Sequence, residues 1–416
     1  MQPMQNWKVR FFAIWTGQAL SLLGSHLVQF ALVWWLTRET GSATILATAT
    51  LAAIVPGIFL GPLAGTLVDR WSRRAVLIVA DASVALAILV LAGINALGIM
   101  QPWHVFAIVL IRSAGGMFHW PAMQASTTLM VPKEHLARVA GANQTLQGAL
   151  NIVAPPLGAL LIGILPLYGV LAIDVVTALL AIVPLLFVHI PQPVRGAASA
   201  GHRSVWQDMV EGLHYVRGWT GLVMVGLMAT LLNALLSPAY SLLPLLVTKG
   251  FGGGALQLGS LESAHGLGII LGGLTLGAWG GFRRRIHTSL TGVMGIGAAT
   301  LLIGLTPATA FWLAMVGMFL GGFTNPIANG PLLAAVQGVV APEIQGRVFS
   351  LIGSVSQALS VVGLLVAGPL ADVLGVRTWF LVGGVACLLM GAGAFFVPPI
   401  VRLEEGRGAV AEIAPA

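Results

Sequence analysis

The sequence predicts an all-α membrane protein with twelve transmembrane helices in two pseudo-symmetric six-helix halves. Three observations support this prediction: 57% of the 416 residues are hydrophobic, only 8% are charged, and the two halves of the chain share sequence patterns. Soluble domains carry about 25% charged residues, so a soluble chain of this length is excluded. Because lipid offers no hydrogen bonds to exposed backbone groups, each spanning segment is predicted to be helical.

The apolar runs define twelve predicted spans, since about 20 residues of helix cross about 30 Å of hydrocarbon. Several runs exceed 25 residues, which indicates tilted helices or helices that extend beyond the bilayer. In chain order the spans are 11–36, 44–68, 75–99, 102–130, 136–165, 168–190, 219–247, 255–281, 287–306, 309–339, 343–374 and 376–398.

The distribution of Lys and Arg predicts the topology. With both termini in the cytoplasm, the cytoplasmic segments hold sixteen of the twenty Lys and Arg residues. Three lie outside (Arg38, Lys249 and Arg377), and Arg112 lies within the fourth span. Such a bias towards the cytoplasm is typical of multi-pass proteins. We therefore predict a protein of the bacterial inner (plasma) membrane with both termini cytoplasmic, and we attribute the net charge of +7 to topology and not to nucleic-acid binding.

The longest interruption of the apolar pattern divides six spans from six. Its second part, from Ser204 to Arg217, has apolar residues at helical spacing and predicts an amphipathic helix at the membrane surface. The motif Val131-Pro132-Lys133-Glu134 returns as Ala341-Pro342-Glu343, which indicates internal duplication. The predicted organisation is a first half at 1–190, a linker at 191–218, a second half at 219–398 and a cytoplasmic tail at 399–416.

The loop between the second and third spans reads Gly65-Thr-Leu-Val-Asp69-Arg70-Trp-Ser-Arg73-Arg74. It resembles the signature loop of the major facilitator superfamily, G-x-L-x-D-R-x-x-R-R/K. Glycine permits close helix approach, and the aspartate can accept hydrogen bonds from a helix N-terminus or from arginines. The resemblance implies a conformational latch; the alternative is a simple positive-inside cluster. The latch residues would be Gly65, Asp69, Arg70, Arg73 and Arg74.

Three segments narrow the resemblance to the macrolide-efflux branch of that superfamily. They are Phe11–Ser25, Phe30–Ala43 with Trp34-Trp35, and Arg112–Ala125 with His119-Trp120-Pro121. The resemblance implies secondary efflux powered by ion exchange with protons. It also makes macrolides a candidate substrate.

Arg112 is the one arginine deep within a span, where an unpaired charge costs about 2.5–3.5 kcal/mol. Its position resembles the fourth-helix arginine of the superfamily's antiporters, which implies a role in proton coupling. His119 lies two helical turns further on the same face and is a second candidate. The alternatives for Arg112 are hydrogen bonding to backbone carbonyls and direct contact with substrate.

Three further features bear on coupling. Pro155 and Gly158 resemble part of the fifth-helix antiporter motif, and their alternative is an ordinary kinked helix. Glu262 and His265 lie within the eighth span, where a buried carboxylate can take up a proton on one side and release it on the other. The alternatives for Glu262 are binding of a cationic substrate and a structural role.

The remaining acids of the spans are assigned simpler roles. Asp81 could pair with Arg74 or Arg112. Asp174 and Asp372 lie near the predicted outer ends of their spans and are expected to be hydrated and structural.

Polar residues at helical spacing mark a predicted substrate cavity. In this superfamily helices one, four, seven and ten line the cavity, so stripes on the first, seventh and tenth spans are the candidates. The alternative is polar contact between helices. The candidate residues are Gln18, Ser25, Gln29, Asn233, Tyr240, Asn325 and Asn329.

The sequence contains no Cys/His metal spacing, phosphate loop or nucleophile motif. We therefore predict no enzyme activity, no catalytic residue, no metal and no cofactor. The predicted function is secondary active efflux of a bulky amphipathic, macrolide-like molecule by alternating access, in exchange for protons. The alternatives are export of a siderophore or lipid-like metabolite, and a non-transporting sensor or scaffold. Expected partners are the small-molecule substrate, protons and the lipid bilayer, without nucleic acid, and the chain is predicted to be a monomer.

Overall fold

A computed structural model describes residues 7–188, 190 and 205–405. The side chains of residues 62, 63, 65, 66, 69, 70, 205–210 and 343 also lie outside the described part. Within the described residues the chain is almost entirely helical and contains no β-strand. The prediction of an all-α membrane protein is therefore confirmed.

Six long helices precede the linker. They are α1 (Trp7–Thr40), α2 (Ala43–Arg70), α3 (Arg73–Ala96), α4 (Pro102–Met130), α5 (Lys133–Ile164) and α6 (Leu167–Phe187). The predicted third span, 75–99, ends early as a helix because Gly98 adopts a φ of 73°, which only glycine adopts readily.

Six more long helices follow α7 (Val205–Arg217), which occupies part of the predicted linker. They are α8 (Thr220–Ser241), α10 (Ala255–Trp279), α11 (Arg285–Leu305), α12 (Phe311–Val339), α13 (Pro342–Leu374) and α14 (Val376–Ala394). The predicted seventh span, 219–247, is interrupted after α8 by the short helix α9 (Leu243–Leu245) and a π-helical turn, Leu246–Gly250. The predicted eighth span ends at Trp279 because Gly280 and Gly281 have φ of 79° and 82°. The described chain closes with α15 (Pro398–Val401) and a 3₁₀ turn at Leu403–Glu405.

Eleven of the described helices are long and apolar enough to cross a membrane. The remaining long helix is α10, whose 25 residues include Glu262, His265 and several glycines. It is not among the eleven helices that meet both the length and the apolarity of a membrane span. Its length still exceeds the roughly 20 residues that a bilayer requires.

The chain divides into two compact units. Unit 1 comprises Met1–Gly41 and Thr48–Ala200, and unit 2 comprises Ser42–Ala47 and Gly201–Ala416. The first turn of α2 therefore belongs to unit 2, while the rest of the helix belongs to unit 1. The predicted boundaries at residues 190, 218 and 398 stay predictions.

In unit 1, α1 packs against α5 and α6, and α3 packs against α4 and α6. Gly24 allows a close approach of α1 to α6: a Cβ at this position would overlap the Thr177 hydroxyl and lie 2.9 Å from Asp174 Oδ1. The small-residue contact thus places the Asp174 carboxylate directly beside α1.

In unit 2, α12 lies against both α10 and α11, α11 packs on α14, and α8 packs on α13. The helices α10 and α12 are in backbone contact at glycines. A Cβ on Gly268, Gly272 or Gly322 would overlap the carbonyl oxygen of Phe319, Phe323 or His265, respectively. Such contact is possible only without side chains, and it holds His265 against α12.

Two charged contacts complete unit 2. Asp372, near the end of α13, accepts hydrogen bonds from the Ala43 and Thr44 backbone N–H groups at 2.7 and 3.0 Å, and from the Ser42 and Thr44 hydroxyls at 2.9 and 2.7 Å. It therefore caps the first turn of α2, and it is exposed, as expected for a hydrated structural acid. In the linker helix α7, Glu211 forms a 2.8 Å ion pair with Arg347 of α13.

Candidate functional site

Unit 1 encloses a cavity of about 220 Å³ between α1, α3, α4 and α6. We call it the charged cavity because two acids, an arginine and a histidine line it. Its polar lining consists of Gln18, Ser21 and Ser25 of α1, Asp81 of α3, Arg112 and His119 of α4, and Asp174 of α6.

The first cluster of the charged cavity is an ion pair between Arg112 and Asp174. Arg112 Nη1 lies 3.2 Å from Asp174 Oδ2, and the two side chains are only 14% and 2% exposed. Arg112 Nη2 also donates to the Ser25 carbonyl oxygen at 2.9 Å, and the Ser25 hydroxyl donates to Asp174 Oδ1 at 3.3 Å. The two buried charges of opposite sign therefore neutralise one another, and each side chain also has a hydrogen bond to Ser25.

The second cluster joins His119, Gln18 and Asp81. The Gln18 amide donates to Asp81 Oδ2 at 2.8 Å and offers its oxygen to His119 Nε2 at 3.0 Å. His119 Nε2 also lies 3.3 Å from Asp81 Oδ1. Both neighbours of Nε2 are acceptors, so this nitrogen carries a hydrogen. The arrangement holds two groups that can exchange protons, a carboxylate and an imidazole, next to one fixed amide.

Two of the sequence expectations for acids are wrong in this unit. Asp81 does not pair with Arg74 or Arg112; it contacts His119 and Gln18. Asp174 is not hydrated but 2% exposed and paired with Arg112, because the Gly24 contact brings α6 against α1. The sequence does contain a signal for the pair of Arg112 and Asp174. An isolated arginine and an isolated acid within apolar spans each require a partner.

The structure describes only part of the predicted latch. Arg74 Nε donates to the Leu185 carbonyl oxygen at 2.5 Å, and its Nη2 donates to the carbonyl oxygen of Leu186. Arg73 donates to the Ala125 carbonyl oxygen at 3.3 Å. These arginines thus attach the start of α3 to the ends of α4 and α6. The predicted latch residues outside the described side chains are Gly65, Asp69 and Arg70.

The predicted antiporter-motif residues lie on α5, outside the lining of the charged cavity. A Cβ on Gly158 would lie 3.1 Å from the Phe30 ring, so Gly158 allows α5 to pack closely on α1. Pro155 lies within the same helix. Both positions contribute to helix packing, and neither one contributes a polar group.

Unit 2 encloses a cavity of about 310 Å³ between α8, α10, α11, α12 and α14. Among its lining residues there is no Asp, Glu, Lys or Arg, and we call it the amide cavity. Its walls combine apolar side chains with several amides and hydroxyls. The polar lining consists of Asn233, Ser237, Tyr240, His265, Asn325, Asn329 and Cys387.

Several polar groups of the amide cavity are fixed by hydrogen bonds to backbone carbonyl oxygens. Asn233 Nδ2 donates to the Ala229 carbonyl oxygen at 2.9 Å, and Asn329 Nδ2 donates to that of Asn325 at 3.0 Å. His265 Nδ1 lies 3.2 Å from the Met318 carbonyl oxygen, so Nδ1 carries the hydrogen and a neutral ring presents Nε2 as an acceptor. The Tyr240 and His265 rings lie 5.4 Å apart. These groups can bind a ligand through hydrogen bonds without any full charge.

Two predicted site residues lie apart from both cavity linings. Glu262 precedes His265 by nearly one turn of α10, and within the described residues its carboxylate has no hydrogen-bond or ion-pair partner. Gln29 lies eleven residues beyond Gln18 on α1, is exposed, and does not line the charged cavity. Among the described residues, no group of three His, Cys, Asp or Glu side chains could hold a metal ion.

The fold defines the class of the protein. It is similar to the nucleoside transporter NupG in a single-substitution form, with a TM-score of 0.72 at 15% identity over 93% of this chain and 98% of that one. It is also similar to a bacterial homologue of the lysosomal transporter Spinster, with a TM-score of 0.70 at 11% identity over 99% of this chain and 100% of that one. The protein therefore has the fold of these membrane transporters.

The family model for transmembrane secretion effectors matches residues 2–411. The chain thus belongs to this family of the major facilitator superfamily. It is 34% identical over 404 residues to macrolide efflux protein A of Streptococcus pyogenes, which covers 97% of this chain and 100% of that protein. It is 28% identical to the multidrug efflux pump Tap of Mycolicibacterium fortuitum, over 92% of this chain and 94% of that one. The predicted family is confirmed, and the chain is a multi-pass efflux transporter.

Proposed function

We propose that this transporter exports a bulky, amphipathic molecule of the macrolide class by alternating access, in exchange for protons. The observation that supports this proposal is the separation of chemistries: titratable charges line the cavity of unit 1, and neutral hydrogen-bonding groups line that of unit 2. In this proposal the chain acts as a monomer in the bacterial inner membrane with both termini cytoplasmic. The 34% identity to a macrolide efflux protein supports the substrate class.

The amide cavity is the proposed substrate contact in unit 2. Its volume of about 310 Å³ is at the lower end of the roughly 300–1,000 Å³ of ligand pockets, so it accommodates part of a large molecule. Asn233, Asn325 and Tyr240 would bind hydroxyl and carbonyl groups, and Leu232 and Ile296 would cover apolar surface. A site without fixed charge suits neutral parts of a macrocycle.

The Asp81, His119 and Gln18 cluster is the proposed proton site. A further proton taken up by this cluster of Asp81 and His119 would change the hydrogen bonds that join α1, α3 and α4. The adjacent Arg112 and Asp174 pair would keep its charges paired throughout the cycle. Each proton that enters the cell yields about 2.3 kcal/mol per 100 mV, which can drive an uphill export step.

Glu262 is a second candidate for proton or cation binding. Its carboxylate lies in a spanning helix without a partner among the described residues, whereas Asp81 and Asp174 each have one. Ionisable residues within spanning helices often mark ion or substrate pathways. Because His265 is nearby and lines the amide cavity, protonation of Glu262 would act beside the proposed substrate contact.

The proposal is tested by uptake of radiolabelled erythromycin into inside-out membrane vesicles with an acidic interior. Wild-type protein should accumulate the drug only while the proton gradient persists. Asp81→Asn should abolish gradient-driven accumulation but retain erythromycin binding, and Asn233→Ala with Asn325→Ala should weaken binding. The matched controls are Glu39→Gln, an exposed acid at the end of α1, and Asn95→Ala, an amide at the end of α3 remote from both cavities.

Each outcome separates the alternatives. Accumulation that survives Asp81→Asn but is lost in Glu262→Gln would move the proton site to unit 2. Folded wild-type protein that binds no erythromycin would overturn the macrolide proposal and favour a siderophore or lipid-like substrate. Absence of gradient-driven movement of any substrate in a broad screen would favour a sensor or scaffold.

A further inference from the structure

A third cavity, of about 190 Å³, lies in unit 1 between the first turns of α1 and α5. It shares no lining residue with the charged cavity, and the proposed transport cycle makes no use of it. We call it the aromatic–basic pocket. Its principal lining residues are Trp7, Lys8, Phe12 and Trp15 of α1 and His135 and Arg138 of α5.

The aromatic walls of this pocket are held in place by their neighbours. The Trp7 and His135 rings lie 5.1 Å apart at 31°, and Phe12 meets Trp15 edge to face at 6.1 Å. The Trp15 indole N–H donates to Asn143 Oδ1 at 2.7 Å. The Trp7–His135 contact and the Trp15–Asn143 hydrogen bond therefore link α1 to α5.

The pocket carries positive charge without a counter-charge. Lys8 and Arg138 are both exposed, and within the described residues neither side chain has a hydrogen-bond or ion-pair partner. The neighbouring acid, Glu134, lies one turn from Arg138 along α5 but does not line the pocket. An anion is therefore the ligand that this lining favours.

The depth of the pocket points to the membrane surface. Helix α1 has 34 residues, more than the roughly 20 that cross the hydrocarbon, so its first turns reach the headgroup region. Trp7 to Trp15 span only about 12 Å along the axis. Beside them, Val9 is 71% and Phe12 46% exposed, which provides an apolar surface that a free anion does not need. Tryptophan and basic residues are typical of this depth.

We propose that the aromatic–basic pocket binds an anionic phospholipid. The phosphate of the headgroup lies between Lys8 and Arg138, and the acyl chains follow Val9 and Phe12 along α1. The Trp7 and Trp15 rings cover the glycerol region. Basic pockets between spanning helices are suited to such headgroups, and a bound lipid would join the start of α1 to the start of α5.

The test measures lipid binding to the purified full-length protein by native mass spectrometry. Dioleoylphosphatidylglycerol is titrated against dioleoylphosphatidylcholine, which has the same acyl chains but no net charge. The variant Lys8→Gln/Arg138→Gln should bind the anionic lipid about tenfold more weakly than wild type, since each cation near a headgroup strengthens binding. The charge-conserving variant Lys8→Arg/Arg138→Lys should retain affinity, and so should the matched control Arg217→Gln/Arg402→Gln, which removes two exposed cations of unit 2.

Several results would overturn the proposal. Equal binding of both lipids would show an apolar groove without headgroup recognition. Equal loss in the Arg217→Gln/Arg402→Gln control would show non-specific attraction to surface charge. Displacement of the lipid by an excess of inorganic phosphate would identify free phosphate as the ligand. Unchanged binding in the Lys8→Gln/Arg138→Gln variant, folded by size-exclusion chromatography, would place the lipid elsewhere.

Discussion

Units 1 and 2 each enclose a cavity among spanning helices, but they line it with opposite chemistry. The charged cavity of unit 1 contains Arg112, Asp174, Asp81 and His119 in fixed partnerships. The amide cavity of unit 2 presents amides, hydroxyls and one imidazole. A buried charge constrains its surroundings because its removal leaves a partner uncompensated, whereas a neutral amide does not. The comparison therefore predicts that the lining of the charged cavity tolerates substitution poorly and that the lining of the amide cavity tolerates it well.

The largest effect should follow from Arg112→Gln. It leaves the Asp174 carboxylate buried without its partner, which should destabilise the protein by about 3–5 kcal/mol. Thermal unfolding in detergent measures this change. The double variant Arg112→Gln/Asp174→Asn removes both charges and should recover most of the loss. Equal destabilisation of the single and double variants would show that the ion pair is not the cause.

A smaller effect is expected where unit 2 depends on shape and not on charge. Gly272→Ala places a Cβ against the Phe323 backbone and should force α10 and α12 apart, at a cost of about 1–3 kcal/mol. The neighbouring Gly273 has no atom within 4 Å of its added Cβ, so Gly273→Ala is the matched control. Equal thermal stability of the two variants would contradict the close helix contact.

A change in ligand affinity without loss of stability should follow from Asn233→Ala. It removes one amide from the amide cavity, and loss of a hydrogen bond costs about 0.5–1.5 kcal/mol. Erythromycin binding to purified protein should weaken by the corresponding factor. The unfolding temperature of Asn233→Ala should be no lower than that of the control Asn95→Ala. A large loss of stability would mean that Asn233 holds helices together and does not serve the ligand.

The smallest effect concerns Asp372→Asn, which retains an acceptor oxygen but removes the charge at the start of α2. A charge at a helix N-terminus contributes about 0.3–1 kcal/mol, and the expected loss of stability lies in that range. The matched control is Glu39→Gln, an exposed acid without a partner among the described residues. A loss equal to that of the control would show that the charge of Asp372 contributes nothing to the stability of the cap.

Much of the fold could be predicted from local pattern. The length of each apolar run is enough to place the long helices. This holds for α10 as well, although that helix contains Glu262 and His265. The helix ends were less accessible, because Gly98 and Gly280 terminate helices through a backbone conformation that hydropathy does not report. Hydropathy also does not report the end of α8 at Ser241, because the residues that follow remain apolar.

The site could be predicted one helix at a time but not across helices. The spacing of Asn233 with Tyr240, and of Asn325 with Asn329, placed each pair on one helix face, and the structure brings all four to one cavity. The partners of Arg112 and His119 were not accessible in this way. They depend on which helices are in contact. Gly24 makes the contact that brings Asp174 beside α1, and a glycine within an apolar run does not reveal which helix it contacts.

Cys387 makes the amide cavity chemically addressable. It is the one cysteine in the sequence, it lines this cavity with no exposed surface, and its thiol donates to the Val293 carbonyl oxygen at 3.2 Å. A maleimide therefore has a single thiol to modify in the natural protein, and it reacts only when the cavity admits the reagent. The rate at which Cys387 is labelled therefore measures how often the amide cavity opens to the reagent. A transported molecule that slows the labelling occupies the cavity, and no engineered probe is needed to detect it.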